Sequence, residues 1–298
     1  MRGVWTAIIT PFTDSGELDL PSLKKILRDQ VEAGISGIIP CGTTGEAPTL
    51  SLDEKKMLIQ TCLQELKGSP VKVVAGTGSN NTRDTVEFSK WASSAGVDGV
   101  LLVTPYYNKP SQAGMEEHFK SVASVIDCEV ILYNVPSRTG VSLTAETVGR
   151  LASHPRIRTI KEATGNPALS SEILDQVSKS GQSIDILSGD DATYLPLLSI
   201  GAVGIISVAS NLFPREMVAL QKAFDEGDLK KALKIHQKHF PLFRDLFIES
   251  NPVPIKAAMA SLDWCRPDVR LPLSPLQPAH LKKLEASLSE CQIVRGKS

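Results

Sequence analysis

Short apolar, β-branched runs alternate with amphipathic helical stretches eight times between residues 4 and 226, and this alternation restricts the possible folds more than any other property of the chain. The strand-like runs fall at 4–10, 37–41, 71–75, 99–104, 129–135, 157–161, 184–187 and 204–208. Helical patterns follow at 20–33, 52–66, 82–95, 112–126, 145–153, 168–180 and 192–200, with an eighth near 213–226. Several open on a capping side chain, as Ser51 precedes Leu52-Asp53-Glu54 and Asp191 precedes Ala192. Others close on glycine, at Gly34, Gly68, Gly96 and Gly181.

Eight strand-then-helix units match the (β/α)8 TIM barrel in count and length, and predict one catalytic barrel domain over 1–225. A doubly wound open sheet is the alternative, but no Gly-x-Gly-x-x-Gly fingerprint follows any strand. Beyond 225 the strand signals stop. Helical patterns at 228–239, 251–262 and 278–290, joined by proline-rich turns, predict a C-terminal helical domain over 226–298.

Composition narrows the partners. A formal net charge of -1 argues against an electrostatic nucleic-acid or membrane surface. No apolar run reaches the roughly 18 residues of a membrane span. The first strand begins at residue 4, which leaves no room for a signal peptide. Cys41, Cys62, Cys128, Cys265 and Cys291 show no Cys-x-x-Cys spacing, so neither a disulfide framework nor a zinc site is expected. A cytoplasmic location with reduced thiols follows.

In a barrel, chemistry sits at the carboxyl ends of the strands. The run Ile157-Arg158-Thr159-Ile160-Lys161-Glu162-Ala163 puts Lys161 at such an end, on one face with Ile157 and Thr159. A lysine on a strand built for burial is paired, snorkelling or chemically employed. Glu162 is the neighbouring candidate for pairing. After the second strand, Gly42-Thr43-Thr44-Gly45-Glu46 reads either as a carboxylate receptor built from hydroxyls and N–H groups or as a self-satisfied turn. Gly76-Thr77-Gly78-Ser79 lacks the Gly-Lys-Ser/Thr of a phosphate loop. Tyr106 and Tyr107 are adjacent, so on an extended segment only one of them can face a given pocket. Tyr133 ends the fifth strand, and Arg138 lies in the loop beyond, free to fork onto a carboxylate. Of the pair Asp190-Asp191, at least Asp191 reads as a helix cap.

One lysine, phenols, threonine hydroxyls and an arginine suit a Schiff-base reaction on a keto acid. A lysine of ordinary pKa, about 10.4, is protonated at neutral pH. Burial among apolar side chains frees the lone pair to attack a carbonyl. A tyrosine within reach can carry the proton lost on forming an enamine, and threonine can relay it.

Gly42-Thr43-Thr44-Gly45-Glu46, Pro105-Tyr106-Tyr107-Asn108, Tyr133 to Gly140, Ile160 to Asn166 and Ser188-Gly189-Asp190-Asp191 together resemble the dihydrodipicolinate synthase family, across essentially the whole chain. The resemblance implies condensation of pyruvate with L-aspartate 4-semialdehyde on the diaminopimelate route to lysine, without a cofactor or metal. It implies an imine on Lys161 and a proton relay of Tyr133, Thr44 and Tyr107, the last supplied across a dimer interface in a homotetramer. Thr43 and Thr44, with backbone near Gly189 and Ile206, would hold pyruvate, and Arg138 the semialdehyde carboxylate. Sister N-acetylneuraminate lyases and 2-keto-3-deoxy sugar acid aldolases share the lysine; Arg138 and the double threonine favour the synthase. In lysine-inhibited members the effector lies beside residues matching Asn80, Asp84 and Tyr106. Those members carry histidines in the segment that here runs through Pro48, Leu52 and Lys55, where this chain has none. The replacement implies weak or absent inhibition by lysine.

Overall fold

Strands β1 Gly3–Ala7, β2 Gly37–Ile39, β3 Lys72–Gly76, β4 Gly99–Val103, β5 Glu129–Asn134, β6 Ile157–Glu162, β7 Asp185–Ser188 and β8 Gly204–Ser207 follow one another in chain order around a closed barrel. The structure is a computed structural model and describes residues 1–293. Helices α1 Leu20–Ala33, α2 Leu52–Glu65, α3 Thr82–Ala95, α4 Gln112–Ala123, α5 Pro136–Thr139, α6 Ala145–Leu151, α7 Pro167–Lys179 and α8 Tyr194–Ser199 lie between successive strands, the short α5 and α6 both between β5 and β6. Then come α9 Pro214–Asp225, α10 Leu229–Asp245, α11 Val253–Ser261 and α12 Pro278–Glu290. The predicted (β/α)8 class is the observed one.

Some boundaries differ from the expected ones. Strand β2 ends directly ahead of Pro40, which has no N–H for the ladder, and β1 ends at Ala7, short of the expected residue 10. Helix α10 runs through Pro241 to Asp245, well beyond the expected end at 239. Leu242, Phe243 and Leu246 are fully buried there, and their packing outweighs the local loss of one helical hydrogen bond.

By backbone proximity the chain divides into two compact units: residues 1–3 with 72–206, and residues 4–71 with those from Ser207 onward. In the first, β3 to β7 pair in parallel with their neighbours. The register sets Leu132 beside Ile160, Tyr133 beside Lys161 and Asn134 beside Glu162, then Lys161 beside Leu187. Val130, Ile131, Leu132, Ile157, Ile160 and Leu187 are completely buried, giving these strands the continuous apolar character of a parallel sheet covered on both faces. In the second unit, β1 pairs with β2 through Trp5–Gly37, Thr6–Ile38 and Ala7–Ile39. A buried polar cluster locks its base: Thr6 donates to Gln30 Oε1 at 2.6 Å, and Gln30 donates to the Ser210 carbonyl at 2.8 Å.

Candidate active site

Strand β6 carries two ionisable side chains in succession, and alternation sends them to opposite faces. Glu162 turns to Asn134, whose amide donates to Oε2 at 2.9 Å, and it also accepts from the Thr164 N–H. Burial raises its pKa against the pull of these donors. Lys161 therefore has no ion pair with Glu162. It is 5% exposed, and its Nζ stands 4.3 Å from the centre of the Tyr133 ring. Among the described residues it makes no hydrogen bond or ion pair. A buried amine left without a counter-ion is costly unless it works.

Beyond β5, Arg138 does not lie in an irregular loop as expected. Residues 136–139 form the single turn α5, opened by Pro136 at its first position and closed by Gly140 at positive φ. Proline is pre-set for that position and glycine for that cap, so the turn is written locally. Arg138 is exposed on it. The tyrosine pair also departs from an extended segment: Tyr107 has φ 71° and Lys109 φ 45°. Both rings reach solvent, and Tyr107 is 89% exposed.

At the end of β7, Asp190 accepts from the Thr193 N–H and hydroxyl, each at 2.8 Å, and Thr193, the N-cap of α8, makes no side-chain capping bond. Asp191, expected as the cap, is fully buried, and α8 starts only at Tyr194. Gly189 donates its N–H to the Glu162 carbonyl at 2.7 Å, so that donor is already engaged. A Cβ at Gly189 would come within 2.5 Å of Ala163 Cβ, which requires glycine here. Ile206 lies buried in β8. Nearer α3, Asn80 accepts from Asn108 through its carbonyl and Asp84 accepts from the Asn81 amide, with Tyr106 partly exposed.

The second unit holds the threonines. Thr44 is buried and Thr43 half-buried. The loop is held by Thr10, which donates to the Gly45 carbonyl at 2.7 Å, and by Glu46 in the left-handed region at φ 55°. Neither hydroxyl closes the turn. Thr44 Oγ1 instead accepts from Asn251 Nδ2 at 2.9 Å. Two residues on, Glu46 pairs with Lys256 at 2.7 Å; both side chains are fully buried. Lys256 also donates to the Thr10 carbonyl at 2.9 Å and lies over the Phe12 ring at 4.2 Å. Burial lowers its pKa, opposed by Glu46. Arg270 forks onto Glu54 and holds its carboxyl down at about 2.

Asn251, Lys256 and Arg270 were not singled out from the sequence. Lys256 had a signal of the same kind as Lys161: one charge inside the apolar helix Val253–Ser261. Asn251 and Arg270 sit in proline-rich turns, where nothing local marks a tertiary contact. Of the two lysines buried among the described residues, Lys256 is saturated by partners and Lys161 is not.

A (β/α)8 barrel that presents a buried amine without a counter-ion at a strand end has the group a Schiff-base lyase requires. The family model described as "Dihydrodipicolinate synthetase family" matches residues 1–291. A 4-hydroxy-tetrahydrodipicolinate synthase of Leptospira biflexa is 48% identical over 297 residues, covering 98% of this chain and 99% of the relative. The crystal structure of dihydrodipicolinate synthase from Aquifex aeolicus superposes with a TM-score of 0.95 at 42% identity, covering 100% of both chains. That of the chloride-inhibited dihydrodipicolinate synthase from Acinetobacter baumannii, complexed with pyruvate, gives 0.94 at 38% identity over 98% of this chain and 99% of the other. The chain belongs to the dihydrodipicolinate synthetase family.

Proposed function

We propose that this protein condenses pyruvate with L-aspartate 4-semialdehyde to 4-hydroxy-tetrahydrodipicolinate, in lysine biosynthesis through diaminopimelate. The observation that carries the mechanism is Lys161, a buried amine with no counter-ion beside a phenol ring. Its Nζ attacks the pyruvate keto carbon and water leaves, giving a protonated imine. That cation withdraws electrons from the methyl carbon, which loses a proton and becomes the enamine nucleophile. The enamine carbon bonds to the aldehyde carbon, and the aldehyde oxygen takes up a proton. The substrate's own amine then attacks the imine carbon, closing the ring and releasing Lys161. The imine nitrogen is the electron sink, so the sequence of steps calls on no metal or organic cofactor.

Tyr133, Thr44 and Tyr107 carry the protons. Thr43 and Thr44 receive the pyruvate carboxylate, backbone at Gly189 and Ile206 lines its approach, and Arg138 takes the semialdehyde carboxylate. Gly189 contributes space and its carbonyl, because its N–H is engaged. A ring as exposed as Tyr107 suits donation to a neighbouring copy, which supports a tight dimer and, by analogy with the family, a homotetramer. The barrel over 1–225 supplies the chemistry and 226–298 its support. Five free cysteines suit the reducing cytoplasm.

Product formation should be measured from pyruvate with L-aspartate 4-semialdehyde, and with N-acetylmannosamine in parallel. Turnover with the semialdehyde alone is expected. Turnover with the amino sugar alone would move the assignment to a sister lyase.

A further inference from the structure

Asn251 stands far from every strand end in sequence, in the turn Ser250-Asn251-Pro252 that precedes α11. Its amide nevertheless reaches Thr44, with Nδ2 2.9 Å from Oγ1, and the residue is only 5% exposed. Its Oδ1 is buried and has no hydrogen-bond partner. Burying an unpaired carbonyl oxygen is unfavourable, so a residue chosen for stability alone would not be asparagine here.

A threonine hydroxyl has one proton to give and two lone pairs to receive. With the Asn251 amide donating into one lone pair, the Thr44 proton must point elsewhere. The opposite amide orientation would draw that proton to Asn251 and leave two N–H donors buried without acceptors. We infer that Asn251 is a positioning residue: it fixes Thr44 as a hydrogen-bond donor and thereby sets the direction of the proton relay. This rests on the relay assigned to Thr44 above. The second anchor, Glu46 to Lys256, holds the other end of the same short loop to the same stretch of chain, so the loop cannot drift from Asn251. The charged side chains on these segments are engaged elsewhere: Glu46 and Lys256 with each other, and Glu249 with His280.

Asn251→Asp tests this, because a carboxylate only accepts and a carboxylic acid can donate. In wild type, borohydride trapping of pyruvate on Lys161 is measured first; its absence would remove the Lys161 reading and this inference with it. Given trapping, Asn251→Asp should still trap pyruvate while kcat at pH 8 falls about 10²-fold, the lower end of what one proton-transfer group contributes. Its kcat should recover on acidification with a single ionisation that wild type lacks, as the buried acid becomes a donor. Asn251→Ala should lose kcat similarly with no such recovery, at unchanged pyruvate KM. A wild-type kcat–pH profile in Asn251→Asp would overturn the inference. So would equal losses of trapping and kcat in both variants, which would mark Asn251 as merely structural.

Discussion

Tyr133 and Lys161 are register partners on adjacent parallel strands, and the lysine Nζ lies 4.3 Å from the centre of the tyrosine ring. Backbone pairing, rather than a flexible loop, brings phenol and amine together. Sites held by strands keep their geometry better than sites held by loops. Glu162, the next residue, is turned away by the pleat and occupied by Asn134.

Replacing Lys161 with alanine should lower turnover by about 10³-fold or more, the scale seen on removing a covalent nucleophile. Borohydride with radiolabelled pyruvate should then leave no label on the protein. Circular dichroism should stay native, because the removed side chain has no ion pair or hydrogen bond to lose. Normal turnover in this variant would end the imine mechanism.

Tyr133→Phe keeps the ring beside Lys161 and deletes only the hydroxyl. The expected result is a kcat loss of about 10²-fold with pyruvate trapping retained, since one general acid–base group contributes on that scale. Tyr107→Phe should behave alike; normal turnover there would remove Tyr107 from the relay.

The Lys256–Glu46 pair makes a prediction about stability. Lys256→Met strands a buried carboxylate and should cost about 3–5 kcal/mol in urea unfolding, as breaking a buried pair does. Lys256→Met combined with Glu46→Gln should recover most of it. Equal loss in the single and double variants would show that the charge is not the cause.

Glu162 makes stability depend on pH. Burial raises its folded pKa above the ordinary 4.5. Its favourable contribution is fully present below 4.5, where the carboxyl is protonated in both states, and is lost as pH rises through the higher folded value. Urea denaturation of wild type and Glu162→Gln from pH 4 to 8 should show their difference shifting in favour of glutamine on going upward from 4.5, then levelling. A pH-independent difference would place the shift elsewhere.

Lysine should inhibit weakly. Where the lysine-inhibited members carry histidines this chain carries Lys55, a second positive charge that would oppose a cationic effector, and Leu52, 52% exposed, which offers no hydrogen bond. A half-inhibitory lysine concentration of millimolar or above is expected; a value well below millimolar would reverse the reading of Asn80, Asp84 and Tyr106.

Periodicity alone determined the barrel. A chain that alternates buried strand and amphipathic helix eight times has few ways to cover both sheet faces. Lys161 was legible by the same logic, because one amine in an apolar strand is conspicuous, and its face followed from the pleat. The turn at Pro136–Gly140 was written locally too, in a proline and a glycine at the right spacing, although the segment was expected as a loop. What the tertiary structure decided is pairing across distance. It set Glu162 against Asn134 and Asp190 against Thr193, and gave Lys256 an ion pair and a hydrogen bond while leaving Lys161 only the Tyr133 ring. It brought Asn251 to Thr44 across 207 positions of chain. No local pattern encodes such contacts. Hydrogen bonds form with whatever the folded chain places within about 3 Å, and that proximity comes from the packing of whole elements.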